Sequence, residues 1–196
     1  MSEEIIIKHC SPTLAGIKTG SMFSVGITEN NDINKEVREL NNLLRKKGLR
    51  VIPLKKTKER ALIYFYRPSH LRKDLNNPIA SNILQRKGYK CENPDCCIAQ
   101  LVKHLKNDDE FPHEIGLFLG YPPADVECFI KNPCDGVKCV GCFKAYSNPE
   151  KAKRLFKRYD DCTKAYCELN KKGKTLEELA VLQTLDMCNR KKIKEE

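Results

Sequence analysis

Cys10 is the residue whose type and position most directly suggest chemistry. It follows residues 3–8, whose three consecutive isoleucines predict a buried strand, and it precedes Ser11-Pro12, a pair typical of a helix start. A thiol at a helix N-terminus ionises readily, because free N–H groups and the helix dipole favour the thiolate. The pattern therefore predicts a nucleophile, and the alternative is a buried core thiol. The residues expected to bind the phosphate or carboxylate of a substrate are Ser11, Thr13 and Lys18.

Four further cysteines lie close together in the sequence, and their thiolates could bind zinc or an iron–sulfur cluster. They are Cys128, Cys134, Cys139 and Cys142. The last two have Cys-x-x-Cys spacing, but the other spacings match no standard ligand pattern. Residues three apart point to opposite faces of a strand, so both could ligate only if a turn at Gly141 intervenes. The alternative is a set of ordinary reduced thiols.

His113 and Glu114 open the otherwise apolar residues 111–121 and could serve as catalytic acid and base. Adjacent residues do not share a face of a helix or a strand. The alternative is therefore a tight turn packed against the sheet.

Tyr66 and Arg67 end the second strand of a predicted hairpin, and Tyr64 shares a strand face with Tyr66. They predict an anion-binding cleft, and the alternative is a half-buried strand face. Polar groups at strand ends often border clefts. We therefore expect one cleft to bring together Cys10, Tyr66, Arg67, His113 and Glu114.

A local surplus of basic residues accounts for the net charge of +10. Between Lys35 and Lys73, 13 basic and 3 acidic residues also sum to +10, so the rest of the chain is neutral. An acidic redox protein or a nucleic acid would suit such a surface, although no aromatic residue lies between Leu43 and Ile63 to stack on bases. The alternative is a solvated helix end with a lysine-rich turn. The residues predicted to bind the partner, at the rim of the cleft, are Arg45, Lys46, Lys47, Arg50, Lys55, Lys56, Lys58 and Arg60.

The composition of the 196 residues, 40% hydrophobic and 32% charged, is typical of a globular domain. We place one domain at residues 1–189 and a charged, frayed tail at 190–196. No apolar run approaches the ~18 residues of a membrane span, and the acidic N-terminus is unlike a secretion signal. We therefore expect a cytoplasmic protein with no membrane partner. Its 11 cysteines, an odd number, predict reduced thiols and not a disulfide framework.

Periodicity and capping residues predict an α+β fold with interleaved helices and a mixed β-sheet. The predicted strands are residues 3–8, 21–27, 49–54, 61–66 and 137–146. The third and fourth form a hairpin whose first strand, with Pro53, lies on a sheet edge. The predicted helices are residues 13–18, 32–47, 69–87 with a break at Pro78, 96–106 with Asp95 as cap, 123–131, 148–170 and 175–187. Residues 111–121 are ambiguous between strand and helix.

Three stretches together resemble a family of uncharacterised proteins of anaerobic bacteria, catalogued as a domain of unknown function. They are residues 9–18 (HCSPTLAGIK), 111–122 (FPHEIGLFLGYP) and 139–146 (CVGCFKAY). The resemblance covers nearly the whole chain and implies one domain and a cytoplasmic location. It implies no activity, substrate or cofactor.

The function first predicted is an accessory protein of anaerobic metabolism that binds a metal, an iron–sulfur cluster or a redox partner through its thiols. The second is a small enzyme with Cys10 as nucleophile in an anion-binding cleft. The third is a basic module for nucleic acid or an acidic protein. Nucleotide-loop, nucleophile-elbow and His-Glu-x-x-His motifs are absent from the sequence.

Overall fold

The structure, a computed structural model, describes residues 1–28, 31–90, 93–107 and 111–182. Its strands are β1 (Gly20–Gly26), β2 (Arg50–Lys56), β3 (Arg60–Tyr66), β4 (Cys139–Val140) and β5 (Lys144–Ala145). Its helices are α1 (Glu3–Leu14), α2 (Ile33–Leu44), α3 (Pro68–Leu75), α4 (Pro78–Arg86), α5 (Pro94–Asn107), α6 (Ile115–Phe118), α7 (Pro123–Lys131), α8 (Pro149–Lys171) and α9 (Leu176–Leu179), with a 3-10 turn at Arg45–Lys47.

Helix α1 replaces the strand predicted at residues 3–8, and that prediction is wrong. The Ser2 hydroxyl caps its first turn by accepting a hydrogen bond from the Ile5 amide. Ile6, Cys10 and Leu14 are buried at four-residue intervals, which places them on one helix face. The predicted helix at residues 13–18 is also wrong, because Pro12 lies in the last turn of α1 and not in a first turn.

The central sheet is antiparallel, and not mixed as predicted, in the order β1-β3-β2, with β3 as the middle strand. It confirms the predicted hairpin and the edge position of the strand that contains Pro53, where the register shifts. The sheet has two buried faces. One face, with Phe65, packs on α1, α2 and α9, whereas the other, with Tyr64, packs on α3 to α7. The α+β class is therefore confirmed, with the sheet between two helical layers.

The helices after the sheet begin at capping residues or prolines. Asn77 caps α4 and confirms the break before Pro78, and Asn148 caps α8. Asn93, and not Asp95, accepts the amide hydrogen bond at the start of α5. Thr175 forms the predicted capping box of α9. Helix α9 ends at Leu179 because Ala180 is extended, so the helix predicted to reach residue 187 is wrong at residues 180–182. Residues 183–187 of that prediction and the tail at 190–196 lie outside the described residues.

The apolar residues 111–121 form the one-turn helix α6 and its flanking turns, which settles the ambiguity in the sequence. The single strand predicted for residues 137–146 is wrong, because a turn at Gly141 divides it into the short strands β4 and β5. Among the described helices, none has both the length and the apolar character needed to cross a bilayer.

Candidate functional site

Cys10 lies in the core between α1 and the sheet, near the C-terminal end of α1, with no exposed surface. The predicted position at a helix N-terminus is therefore wrong, so the helix dipole does not favour a thiolate at Cys10. Burial raises the pKa of the Cys10 thiol, although the Lys18 ammonium opposes the shift. The expectation of an activated nucleophile loses its physical basis. The alternative of a buried core thiol describes the residue.

Ser11 and Thr13 are buried beside Cys10, and their hydroxyls have protein partners. Ser11 Oγ donates to the Ile7 carbonyl, and Thr13 Oγ1 lies 2.9 Å from Ser21 Oγ. These contacts join α1 to itself and to β1. The predicted anion site at Ser11 and Thr13 is therefore not formed.

Arg67 is 1% exposed, and its guanidinium connects three separate parts of the chain. It donates to the carbonyls of Thr13 (2.8 Å), Leu14 (2.6 Å), Lys47 (3.1 Å) and Val181 (2.9 Å). Carbonyls at the end of α1 carry partial negative charge. The prediction of Arg67 as a ligand-binding residue is thus corrected to a buried structural role.

Tyr66 is also buried, and its ring stacks on that of Tyr64 with centroids 4.7 Å apart. The Tyr64 hydroxyl donates to the Phe118 carbonyl at 2.6 Å. Burial raises the pKa of Tyr66 to about 12. The two tyrosines belong to the core between the sheet and α3 to α7, and not to a cleft.

His113 and Glu114 point into different environments, so they are not a catalytic pair. Glu114 is 2% exposed and accepts hydrogen bonds from the Tyr89 hydroxyl (3.0 Å) and from His104 Nδ1 (3.3 Å). His113 is exposed, with its ring edge against the Phe129 ring at 5.0 Å between centroids. The predicted convergence is wrong, because the pocket that His113 lines has none of the other four residues in its wall.

That pocket is a cavity of about 450 Å³ between α6, α7 and the β4–β5 hairpin. Five aromatic rings face it, from three segments that are separate in the sequence. They are the rings of Phe111, His113, Tyr121, Phe129 and Phe143. The remaining wall is largely aliphatic or glycine, with Cys142, Asp125 and Lys144 as its other polar side chains. Planar apolar molecules are the ligands that such a surface suits.

Two glycines allow the pocket walls to approach closely. A Cβ atom at Gly116 would lie 2.9 Å from Val126 Cγ2 and 3.2 Å from the Tyr121 ring. A Cβ atom at Gly141 would lie 2.3 Å from the ring of Phe156 on α8. The hairpin turn therefore rests directly on α8, and α6 rests on α7.

Two polar side chains of the wall, Asp125 and Lys144, have protein partners. Asp125 Oδ1 accepts from the Tyr146 amide (2.9 Å) and from the Ser147 amide (3.0 Å), which fixes the hairpin against α7. Lys144 Nζ donates to the Pro133 carbonyl at 2.9 Å and lies 5.6 Å from the centroid of the Phe129 ring. These contacts hold the Asp125 and Lys144 side chains in place in the pocket wall.

Lys18 lies next to this pocket, on the turn that follows α1. Its Nζ is 5.3 Å from the Tyr121 ring centroid and 5.9 Å from the Tyr159 ring centroid. Burial lowers the pKa of Lys18, and the nearby Cys142 opposes the shift. Burial also raises the pKa of Tyr121 and, to about 12, that of Tyr159. Lys18, Tyr121 and Cys142 belong to residues 9–18, 111–122 and 139–146. The three stretches that carry the family resemblance therefore meet beside the pocket.

The four cysteines predicted to bind a metal do not form such a site in the described part of the chain. There, no three His, Cys, Asp or Glu side chains are placed to hold a metal ion. The turn at Gly141 that joint ligation by Cys139 and Cys142 needs is present, yet Cys142 faces the aromatic pocket. Cys128 and Cys134 are exposed free thiols. Cys97 is disulfide-bonded and departs from the expectation of reduced thiols.

The predicted basic surface lies along the edge strand β2 and the turns at its ends. Within the described residues, none of its eight lysines and arginines forms a salt bridge with an acidic side chain. None of them lines the aromatic pocket. The surface and the pocket are therefore separate features, and the basic residues are not the pocket's rim.

Most of the pocket residues are not recognisable from the sequence. Tyr121, Phe143 and Lys144 lie inside the stretches that carry the resemblance, where the density of aromatic rings was the available clue. Phe129 and Tyr159 lie on helices outside those stretches. Only the folded chain brings their rings to Lys144 and Lys18.

The geometry defines an α+β protein with a three-stranded antiparallel sheet between helical layers and an aromatic pocket formed by α6, α7 and a small hairpin. A family model described as "Protein of unknown function (DUF3793)" matches residues 6–180. The chain belongs to this family. No curated protein and no solved structure shows significant similarity to it.

Proposed function

We propose that this protein binds a planar aromatic molecule of two or three fused rings in the pocket between α6, α7 and the β4–β5 hairpin. The observation that carries the proposal is the set of five rings around one open cavity of about 450 Å³. Small-molecule sites typically have volumes of about 300–1,000 Å³ and mostly apolar walls with a few polar groups. Each stacked or edge-on ring contact contributes about 0.5–1.5 kcal/mol beyond the area it buries.

We propose an organic ligand, and not the thiol-bound metal or iron–sulfur cluster predicted from the sequence. The described thiols do not come together as ligands, whereas the aromatic rings do. We also propose ligand binding, and not catalysis by Cys10, because that thiol is fully buried in the core. Cys142 lies in the pocket wall, so a thiol still contacts the proposed ligand.

The pocket can be tested with 2-naphthamide, a neutral two-ring probe, by isothermal titration calorimetry. We expect a Kd of about 10–100 μM, which is reasonable for a ligand of this size. Phe111→Ser should weaken binding about five- to tenfold, because it removes one ring contact. Phe111 is 56% exposed, so its loss should leave stability nearly unchanged.

Ile79→Ser is the matched control, because Ile79 on α4 is also exposed, at 43%, and lies outside the pocket wall. It should bind the probe like the native chain. Absence of probe binding, or equal weakening by the two substitutions, would contradict the proposal.

A second function is favoured by the unpaired charges of the basic surface, and we propose that this surface binds an acidic protein. The contrast with α8 supports it. Lys153, Lys157 and Lys164 of α8 each form a salt bridge within their own helix, whereas in the described part of the chain the basic surface has no such partner. Unpaired charges on an edge strand are available for electrostatic docking.

Charge reversal tests this surface. The triple variant Lys55→Glu, Lys56→Glu and Lys58→Glu should weaken binding to poly-L-glutamate at least about tenfold at 50 mM salt, because like charges repel. The control reverses Lys153, Lys157 and Lys164 on α8 and changes the net charge equally, so it should keep most of the affinity. Equal losses in both variants would contradict a local docking surface. A mixed DNA duplex bound more tightly than poly-L-glutamate, with steep salt dependence, would identify nucleic acid as the partner instead.

A further inference from the structure

Three hydrogen-bond donors beside the pocket have no acceptor within the described residues. They are the Lys18 ammonium and the hydroxyls of Tyr121 and Tyr159, for which only ring contacts and electrostatic interactions occur there. Every fully buried side-chain nitrogen or oxygen that the structure describes has a partner. These three polar atoms therefore touch accessible space and are not sealed in the interior.

Among the residues that the structure describes, no carboxylate is paired with the Lys18 ammonium. Within the described part of the chain, Lys18 forms no salt bridge. Asp74 interacts electrostatically with Tyr159 and accepts a hydrogen bond from Thr19, whereas the groups that interact electrostatically with the Lys18 ammonium are the Cys142 and Cys10 thiols. A partly desolvated ammonium without a counterion is unfavourable, and an anion bound beside it would offset that cost.

The three donors come from different segments and adjoin the pocket. Lys18 follows α1, Tyr121 precedes α7, and Tyr159 lies on α8. Tyr121 belongs to the wall of the aromatic pocket, as does Cys142, which interacts electrostatically with Lys18. Tyr121 and Cys142 therefore connect the pocket wall with the surroundings of Lys18.

We propose that Lys18, Tyr121 and Tyr159 form an oxyanion subsite that binds a carboxylate or phosphate group of the pocket's ligand. This inference rests on the proposed function and adds the ligand's charge to it. Two phenol donors and one ammonium match the acceptor oxygens of either group. Lys18 thus keeps the anion-binding role predicted from the sequence, while the two tyrosines replace Ser11 and Thr13.

The test compares 2-naphthoate and 2-naphthyl phosphate with the neutral 2-naphthamide, by calorimetry on the full chain at pH 7. At least one anion should bind about 10- to 30-fold more tightly than the amide, and the tighter anion identifies the group. Lys18→Met should abolish this preference while the amide Kd stays within about twofold. Lys18→Arg should restore part of it, because the positive charge returns.

Lys8→Met is the control, because Lys8 is exposed on α1 and should not affect any of the three probes. Tyr159→Phe is a second variant that keeps the ring and removes the donor, and it should lower the preference for the anion about three- to tenfold. Equal affinity of the native chain for the anions and the amide would contradict the oxyanion subsite but not the proposed pocket. Equal losses of affinity for the anions and the amide in Lys18→Met would do the same. Failure of all three probes to bind would overturn the pocket and the subsite together.

Discussion

Arg67→Met should lower the free energy of unfolding by about 3–5 kcal/mol, because it leaves buried carbonyl groups without their charged donor. The guanidinium donates to four carbonyls, two at the end of α1 and one each at Lys47 and Val181. Arg67→Lys should recover only part of the loss, since one ammonium cannot reach all three segments with the planar geometry of arginine. Urea denaturation followed by circular dichroism measures both changes.

Arg72→Met is the matched control for this experiment. Arg72 lies five residues further along the chain, on α3, and its side chain is exposed. Its replacement should change stability by no more than about 0.5 kcal/mol. A loss below about 1 kcal/mol in Arg67→Met would show that the guanidinium is not needed to hold the three segments together.

The parts of the fold that could be predicted are those whose boundaries depend on local chemistry. Asp32 and Asn148 accept amide hydrogen bonds at the starts of α2 and α8, and Pro78 starts α4. The β2–β3 hairpin likewise follows from two apolar runs around a charged turn. In each case the residues that decide the structure lie within one turn of the boundary.

Helix α1 shows where local chemistry was insufficient. Three consecutive isoleucines favour a strand, whereas the spacing of Ile6, Cys10 and Leu14 favours a helix. The helix is formed because that face packs on the sheet and on α8 and α9. The chemistry predicted for Cys10 depended on the strand, so one incorrect element removed both the helix N-terminus and the nucleophile.

Arg67 and Lys18 show why the roles of charged residues are harder to predict than the positions of helices and strands. Arg67 follows a strand and resembles a ligand-binding residue in sequence, yet its partners include Val181, 114 positions away. The sequence predicts that Lys18 binds an anion at a helix start, but its neighbours in the structure are Tyr121 and Tyr159. Partners so distant in sequence leave no periodicity by which they could be recognised.

The connection between the sheet and the pocket lies at Gly20, where β1 begins. A Cβ atom there would lie 2.4 Å from Tyr64 Cε2 and 2.8 Å from the Phe118 carbonyl oxygen. Tyr64 is fully buried and stacked on Tyr66, so its ring has little room to move. The same Phe118 carbonyl accepts the Tyr64 hydroxyl, which ties α6 to the sheet. Gly20 is thus required for the position of α6, whose first two residues, Ile115 and Gly116, line the pocket.

Gly20→Ala should therefore lower the free energy of unfolding by about 2–3 kcal/mol through overpacking, and it should weaken 2-naphthamide binding because α6 must shift. Gly26→Ala at the other end of β1 is the control, since a Cβ atom there meets no atom within 4 Å. It should be neutral or stabilising by less than about 1 kcal/mol.

Replacing Tyr64 by Leu in the Gly20→Ala background removes the clashing ring, so a double-mutant cycle should give a coupling above about 1 kcal/mol. Additive losses in that cycle would mean that the Gly20 side chain and the Tyr64 ring do not compete for the same space.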